Sequence, residues 1–386
     1  MKRGRTGQYE TTSVAGETIC AFIPNPLPPE PALALSDRRQ RLLERATVAL
    51  GRLDSVTLLL PDPNIFLYTY VRREAVLSSQ IEGTQSSLAQ LLLFEIEQAP
   101  GVPLDDVREV SNYVAALDHG LKRLREDFPL SNRLIREMHG ILLSVGRGSD
   151  KSPGEFRRTQ NWIGGTRPGN AHFIPPPPGQ VEACMAQLER FLHDSGNHYP
   201  ILIKAALAHV QFETIHPFLD RNGRIGRLLI AFILHHDRLL SQPLLYLSLY
   251  FKQHRSEYYR LLDLVRTKGE WEAWLDFFLE GVEQIASNAV ETAKRLFSLF
   301  QQDEQKIQTL GRSASTTLRV FRILCENPLA TLNRICESTR LSFPAAAKGM
   351  RKLEKLDIAR EITGQQRNRV FAYQQYLSIL NEGTES

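Results

Sequence analysis

The 386-residue chain is 42% hydrophobic and 23% charged, with a formal net charge of +4 and a pI near 8.8. This is the balance of a globular protein of two or three domains, too mildly basic to argue for nucleic acid by itself. It gives no support to secretion, a bilayer span, a disulfide framework or a zinc site: no apolar stretch follows the basic start MKRGRTG, and Cys20, Cys184, Cys325 and Cys336 lack ligand spacing. Reduced thiols and a cytoplasmic setting are expected.

In chain order, the proline-rich run Pro24 to Pro31 predicts extended chain laid over a surface. From Ser36 helical signals take over. Asp37 to Leu53 forms a charged amphipathic segment. After the breaker Pro61-Asp62-Pro63 a second helix is predicted from about Ile65 to Glu82, with others over Leu88–Gln98, Leu104–Phe128 and Asn132–Leu143. Between Ser144 and Gln180 the pattern changes. There NWIGGTRPGNAHFIPPPP alternates apolar and polar residues on both sides of a Gly/Pro/Asn turn, a β-hairpin signal in a helical chain. Helices resume over Val181–Asp194, Tyr199–Thr214 and Arg224–His236, Gln242–Thr267 closes a helical core, and Glu270–Leu310 reads as one or two long connecting helices. Beyond Gly311, three helix-length segments and then REITGQQRNRVFAY, two strands around Gly364, have the order of a winged-helix domain.

The densest polar chemistry lies at the junction of two apolar helices, in HPFLDRNGRIGR, residues 216–227. A helix N-terminus presents unpaired N–H groups and a partial positive charge, which suits an anion. Asn222 and Gly223 permit a tight bend and close approach of backbone to phosphate. Arg224 and Arg227 share a face one turn apart, two guanidinium forks for successive phosphates. Asp220 is a hard oxygen ligand suited to Mg²⁺, and His216 is an imidazole able to take the proton of an attacking hydroxyl. Phe218 reads as the loop's core anchor. Any one of these residues is also an ordinary cap or surface charge. The whole set in this order argues for phosphoryl-type chemistry, in which positioning and charge neutralisation dominate. Upstream, Ser78-x-x-x-Glu82-Gly83 puts a carboxylate in the last turn of a helix closed by Gly83, the unfavourable end of the macrodipole, where a cation should compensate it.

The stretch from His216 resembles the Fic motif, His-x-Phe-x-Asp/Glu-Gly-Asn-Gly-Arg-x-x-Arg. His216, Phe218, Asp220, Asn222, Gly223, Arg224 and Arg227 match, while Arg221 stands where the family has its first glycine; its amide is expected to serve the loop with the side chain turned outward. Ser78 to Gly83 resembles the inhibitory helix of Fic proteins. The resemblance implies a mainly α fold with a Fic-type helical core, a β-hairpin flap and a C-terminal winged helix. It divides the chain into an N-terminal region with the inhibitory helix (1–110), a catalytic core (111–268), connecting helices (269–311) and the winged-helix domain (312–386).

The same resemblance implies an ATP- and Mg²⁺-dependent protein adenylyltransferase, moving AMP to a Ser, Thr or Tyr hydroxyl of a target protein or of itself. His216 is then the base and Asp220 the metal ligand. Asn222 and the loop amides, those of Arg221 and Gly223 included, cradle the α-phosphate, and Arg224 and Arg227 hold the outer phosphates. Glu82 is expected to pair bidentately with Arg227 in the γ-phosphate position. The hairpin, with Asn161, Trp162, Ile163, Gly164, His172 and Phe173, resembles the family's flap, which docks an extended target segment by strand addition.

In LYLSLYFKQHRSEYY, Tyr250 and His254 lie one turn apart on a helix that borders the nucleotide in the family. His119, His139, His193, His209, His235 and His236 fit packing. Arg340, Lys348, Arg351, Lys352, Lys355, Arg367 and Arg369 give the winged helix basic residues suited to DNA phosphates, while Glu354 and Asp357 dilute that charge and a protein partner is the alternative. Two rivals remain: a DNA-binding regulator whose Fic-like core senses nucleotide, and a hydrolase that removes AMP with Glu82 orienting a water. A homodimer and no membrane partner complete the expectations.

Overall fold

The computed structural model describes residues 3–14, 16–59, 63–97, 104–194, 196, 199–365 and 367–383. Pro61, Asp62 and Gln98, which bound predicted helices, lie outside them. The pattern predicts no strand before the proline run, yet the structure opens with an antiparallel hairpin, β1 (Gly7–Val14) and β2 (Glu17–Pro24), in register from Gly7 opposite Pro24 to Val14 opposite Glu17. Only β2 has an apolar set, burying Ile19, Ala21 and Phe22, so β1 reads as polar coil until it has a partner.

The helices come next, as α1 (Asp37–Leu59), α2 (Pro63–Ile81), α3 (Leu88–Glu97), α4 (Leu104–Arg125), α5 (Asn132–Leu142), α6 (Pro178–His193), α7 (Ile201–Ile215), α8 (Asn222–His236), α9 (Ser248–Gln253), α10 (Arg255–Lys268) and α11 (Trp271–Gln308). α4 runs unbroken through residue 110, and Glu270–Leu310 resolves into a single helix. Every residue of α7 except Ile201 and Lys204 is buried, and α8 is buried from Arg224 to Leu234. A helix apolar on all sides belongs at the centre. α7 packs on α8, α6, α10 and α11, while α8 is backed by α4, α2 and α5, so the junction between α7 and α8 is held from every side.

The last unit comprises α12 (Ala314–Glu326), β3 (Leu329–Thr331), α13 (Leu332–Thr339), α14 (Phe343–Lys355), β4 (Arg360–Glu361) and β5 (Val370–Ala372), the strands pairing antiparallel in the order β3-β5-β4. A short α15 (Gln374–Asn381) then returns to the core. This unit rests on α2: Asn327 Nδ2 donates to the Tyr68 hydroxyl at 3.0 Å, and the Tyr376 hydroxyl meets Thr69 Oγ1 at 3.1 Å. Among the described residues no helix is long and apolar enough to cross a membrane.

Candidate active site

α7 ends at His216, which takes a left-handed conformation (φ 48°, ψ 60°) and donates its amide to Phe212 O at 2.9 Å. Pro217 then cannot continue the ladder. Phe218 is fully buried with its ring stacked on His139, centroids 3.7 Å apart. Burying such a ring contributes about 1.5–3 kcal/mol toward holding the loop down. Asn222 closes the loop back on itself: its Oδ1 accepts from the Phe218 amide at 2.8 Å and its Nδ2 donates to Phe218 O at 2.8 Å. The carboxamide thus braces the loop, with the second Nδ2 hydrogen left over. Among the described residues no side chain caps the start of α8, so its first amides stay open to an anion.

A carboxylate already stands there. Arg227, 5% exposed, donates from Nε to Ser78 Oγ (2.9 Å) and from Nη2 to Ser78 O (2.9 Å) and Glu82 Oε1 (2.8 Å). Glu82 comes directly after the last turn of α2, which Gly83 closes at φ +93°, with Gly83 N–H donating to Gln80 O and Thr84 N–H to Ser79 O. The cation that this negative helix end requires comes from 145 residues further along the chain. The contact uses one carboxylate oxygen rather than the expected two, and the same oxygen packs on Gly223, where a Cβ would overlap it. Against the upward push of burial, the charge and hydrogen bond of Arg227 hold the Glu82 carboxyl below the ordinary range.

Arg224, 1% exposed, is held by a residue that no motif singles out. Its Nη2 donates to Glu109 Oε2 (2.9 Å) and Thr84 Oγ1 (3.1 Å), leaving Nε and Nη1 buried and unpartnered among the described residues. Glu109, from α4, also takes Arg147 Nε at 2.8 Å and Arg221 Nη2 at 2.8 Å. Arg221 is thus turned inward, its side chain 12% exposed, and not outward as expected. Its φ of +61° is a conformation glycine adopts without strain, and the pair with Glu109 offsets that cost. Asp220 keeps a part-exposed carboxylate, with Oδ1 accepting from the Arg221 amide at 2.8 Å and Oδ2 lying 3.6 Å from Arg221 Nη1. Among the described residues no three His, Cys, Asp or Glu side chains cluster as a metal site. Mg²⁺ bound to phosphates needs only one or two protein carboxylates, so Asp220 fits that more limited role.

Burial first, then the charges of Arg157 and Arg266, lower the His216 imidazole to a pKa of about 3, with Glu82 opposing; the ring is therefore neutral, with Nδ1 buried and unpartnered among the described residues. One turn earlier, burial raises Glu213 to about 7 against the charge of Arg227. These shifts predict the acid behaviour of the protein. His139, His209 and His216 fold neutral with values of about 4, 3 and 3, so the unfolded chain binds more protons below pH 6.5 and stability falls with pH. Glu74 and Glu213, raised to about 7, bind protons preferentially when folded and oppose this between pH 7 and 4.5. Two of the three histidine protons are then offset. The one unbalanced proton, worth about 1.4 kcal/mol per pH unit, is expected to lower the melting temperature followed by circular dichroism gradually from pH 6.5 to 4.5, with a steeper drop below, where the glutamates no longer offset the histidines. A steep drop starting at pH 6.5 would show that the two glutamates do not fold protonated.

The predicted hairpin is reduced to one antiparallel bridge. Ile163 N–H donates to Phe173 O at 2.8 Å, and His172 N–H returns to Ile163 O at 2.9 Å. A 3₁₀ turn at Pro168–Asn170 and the left-handed Gly164 and Gly165 fill the tip and leave no room for a longer ladder. Asn161 Nδ2 anchors the first leg to Phe218 O at 2.9 Å, and Trp162 is 37% exposed. The second leg leans on β2, with Phe22 N–H donating to Ile174 O at 2.9 Å.

Residues 40–122 match the Fic/DOC family N-terminal domain and residues 129–234 match the Fic/DOC family itself, the latter spanning the flap, His216 and both arginines. This is a chain of the Fic/DOC family. It is 31% identical over 208 residues to a protein adenylyltransferase Fic of Drosophila ananassae, covering 53% of this chain and 38% of that protein. The corresponding Drosophila melanogaster protein is 32% identical over the same length, with 39% of it covered. The match thus spans about two fifths of these curated relatives. In fold, the chain resembles a Fic family protein from Desulfovibrio desulfuricans G20 (TM-score 0.56, 19% identity, 89% of this chain and 98% of that one). It also resembles a Fic domain containing signaling protein from Bacteroides thetaiotaomicron (TM-score 0.52, 21% identity, 65% and 97%).

In this Fic/DOC chain the His254 side chain makes no hydrogen bond or ion pair with the loop among the described residues. It is exposed, caps α9, and its ring meets only Tyr250 (4.5 Å) and Phe277 (6.3 Å) among the described rings. On α10, Tyr259 is 41% exposed. Its hydroxyl is raised by burial first and then by the charge of Glu82, with Arg227 opposing. Tyr258, its neighbour, is spent on His209 at 2.9 Å. The tyrosine pair comes one turn after His254, so helical periodicity was the only available signal for it.

Proposed function

We propose that this Fic/DOC chain is an autoinhibited protein adenylyltransferase that transfers AMP from ATP to a Ser, Thr or Tyr hydroxyl of a target protein, and to its own hydroxyls when no target is present. The observation that carries the proposal is Glu82, a carboxylate seated between Arg227 and Gly223 at the open head of α8, where the chemistry favours phosphate. In the reaction the acceptor oxygen attacks the α-phosphorus, His216 takes its proton, and pyrophosphate leaves. The unpartnered N–H groups of Arg224 and the first amides of α8 are suited to the charge that develops. Asp220 would hold Mg²⁺, which when bound neutralises phosphate charge.

A pure nucleotide sensor has no use for a neutral imidazole beside the arginines, so His216 favours the enzyme. Four unpaired cysteines support a reducing, cytoplasmic compartment. The test is incubation with α-labelled ATP and Mg²⁺ of the wild type, Glu82→Gly and His216→Ala, with a candidate target extract and alone. Label on protein in Glu82→Gly supports the proposal, whereas release of AMP from pre-labelled protein by the wild type would favour the hydrolase.

A separate observation favours a second partner. Lys348, Arg351 and Lys355 are exposed along one face of α14 and form no ion pair among the described residues, and Arg340 and Arg367 are likewise exposed. Lys352 is instead tied to Ser313 Oγ, and Arg369 lies over Phe371 at 5.2 Å. We infer that residues 312–383 form a winged helix with α14 against duplex DNA phosphates. In fluorescence anisotropy, the triple change of Lys348, Arg351 and Lys355 to Ala is expected to weaken binding to any duplex. It should also reduce the slope of log K against log salt by about 2.7, about 0.9 per lost contact. An unchanged slope removes DNA as the partner of this face.

A further inference from the structure

Between α5 and α6 the sequence GEFRR contributes one side chain with an unusual set of partners. Arg157 is 2% exposed and makes no salt bridge among the described residues. Its Nε donates to His216 O at 2.9 Å, Nη2 to Pro176 O at 2.5 Å and Ile215 O at 3.4 Å, and Nη1 to Thr159 O at 3.5 Å. Its own amide donates to Pro217 O at 2.9 Å. The carbonyls of Ile215 and His216 are the last of α7, the negative end of that helix, where a cation is stabilising. Thr159 and Pro176 flank the two legs of the flap. A buried guanidinium satisfied by main-chain carbonyls alone works as a five-donor bracket, and lysine, with a single ammonium, cannot span the same points.

We propose that Arg157 is a positioning residue that ties the flap to the end of α7, so that a docked target segment and the His216 imidazole keep a fixed spacing. The proposal rests on the adenylyltransferase function above, since it assigns the flap to the protein acceptor. The charged groups acting on His216 are Arg157, Arg266 and Glu82, with the Glu213 backbone adding a hydrogen bond. Arg157 and Arg266 disfavour protonation of the imidazole, so Arg157 also helps to keep the base neutral.

The experiment uses the full chain with Glu82→Gly as background, adding Arg157→Gln or Arg157→Lys. With a protein acceptor, Arg157→Gln is expected to lower kcat by about 10²-fold, the usual consequence of misplacing reacting groups by about 1 Å. The KM for the acceptor should rise while the KM for ATP stays within about two-fold, and Arg157→Lys should recover part of kcat. Two readouts need no activity. Amide exchange of residues 159–176 should accelerate while α8 stays protected, and the His216 titration followed by NMR should move to higher pH. Unchanged flap exchange together with an unmoved His216 titration in both variants overturns the proposal. So does a uniform loss of protection across α7 and α8 in Arg157→Lys, which would mark a merely structural role. Should Glu82→Gly itself transfer no AMP, the adenylyltransferase function fails, and the exchange and titration data still decide on Arg157.

Discussion

Glu82→Gly is expected to raise AMP transfer by about 10- to 150-fold over the wild type in a labelled-ATP assay at saturating target, because a hydrogen bond to a charged group is worth about 1.5–3 kcal/mol net and each 1.4 kcal/mol is tenfold. Glu82 Oε1 stands 2.8 Å from Arg227 Nη2 and against Gly223, so an outer phosphate must displace it to use the same donors. The substitution leaves Arg227 with both Ser78 acceptors, which keeps the guanidinium in place and the fold intact. ATP should then stabilise the variant by a measurable thermal shift, about 2.7 kcal/mol at 100 times its Kd, and the wild type much less. Equal transfer by the two proteins, with equal shifts, would mean that Glu82 does not obstruct the nucleotide.

His216→Ala in the Glu82→Gly background should remove about 10²- to 10⁴-fold of that activity, the range for loss of a positioned general base, while leaving the ATP-induced thermal shift in place. The separation between chemistry and binding is the diagnostic part. His216 is placed by its backbone, through the left-handed turn and the Phe212 bond, and an alanine can keep that main chain. The pH dependence carries a further sign. Burial, Arg157 and Arg266 put the imidazole at about 3, and loss of Glu82 removes the carboxylate charge that opposes them. The kcat of Glu82→Gly should therefore show no acid limb in the ordinary histidine range, roughly pH 6 to 7. A limb at the ordinary histidine value, or a His216→Ala variant retaining more than about a tenth of the activity, would exclude this imidazole as the base.

How much of this was legible depended on sequence distance. The helices announced themselves by periodicity and caps. Gly83, the Schellman glycine, and Gly223, the close-approach glycine, could be placed because their function is local. The flap was legible as a turn and not as a ladder, since Gly164, Gly165 and the Pro168 turn decide how many bonds can form. The β1–β2 hairpin was missed because β1 has little apolar alternation of its own. His254 was placed by resemblance, and the break between α9 and α10 leaves it as an exposed cap. Glu109 and Arg157 had no motif at all: one gathers three guanidiniums from distant parts of the chain, the other several carbonyls.

Sequence alone determined what any isolated piece can do. That covers an apolar pair of helices joined by a loop with an imidazole, a carboxylate and two spaced arginines, and a glutamate placed at the unfavourable end of a helix. Short-range rules of capping, spacing and helix polarity suffice for that, since they act within a turn or two. Only tertiary structure decided which charges meet. The Arg227–Glu82 pair was foreseen only through the resemblance, whereas Arg224 and Arg221 found Glu109, and Arg157 found the ends of α7 and of the flap, because buried guanidiniums must be satisfied and each takes whatever acceptors the packing of α2, α4 and α7 delivers.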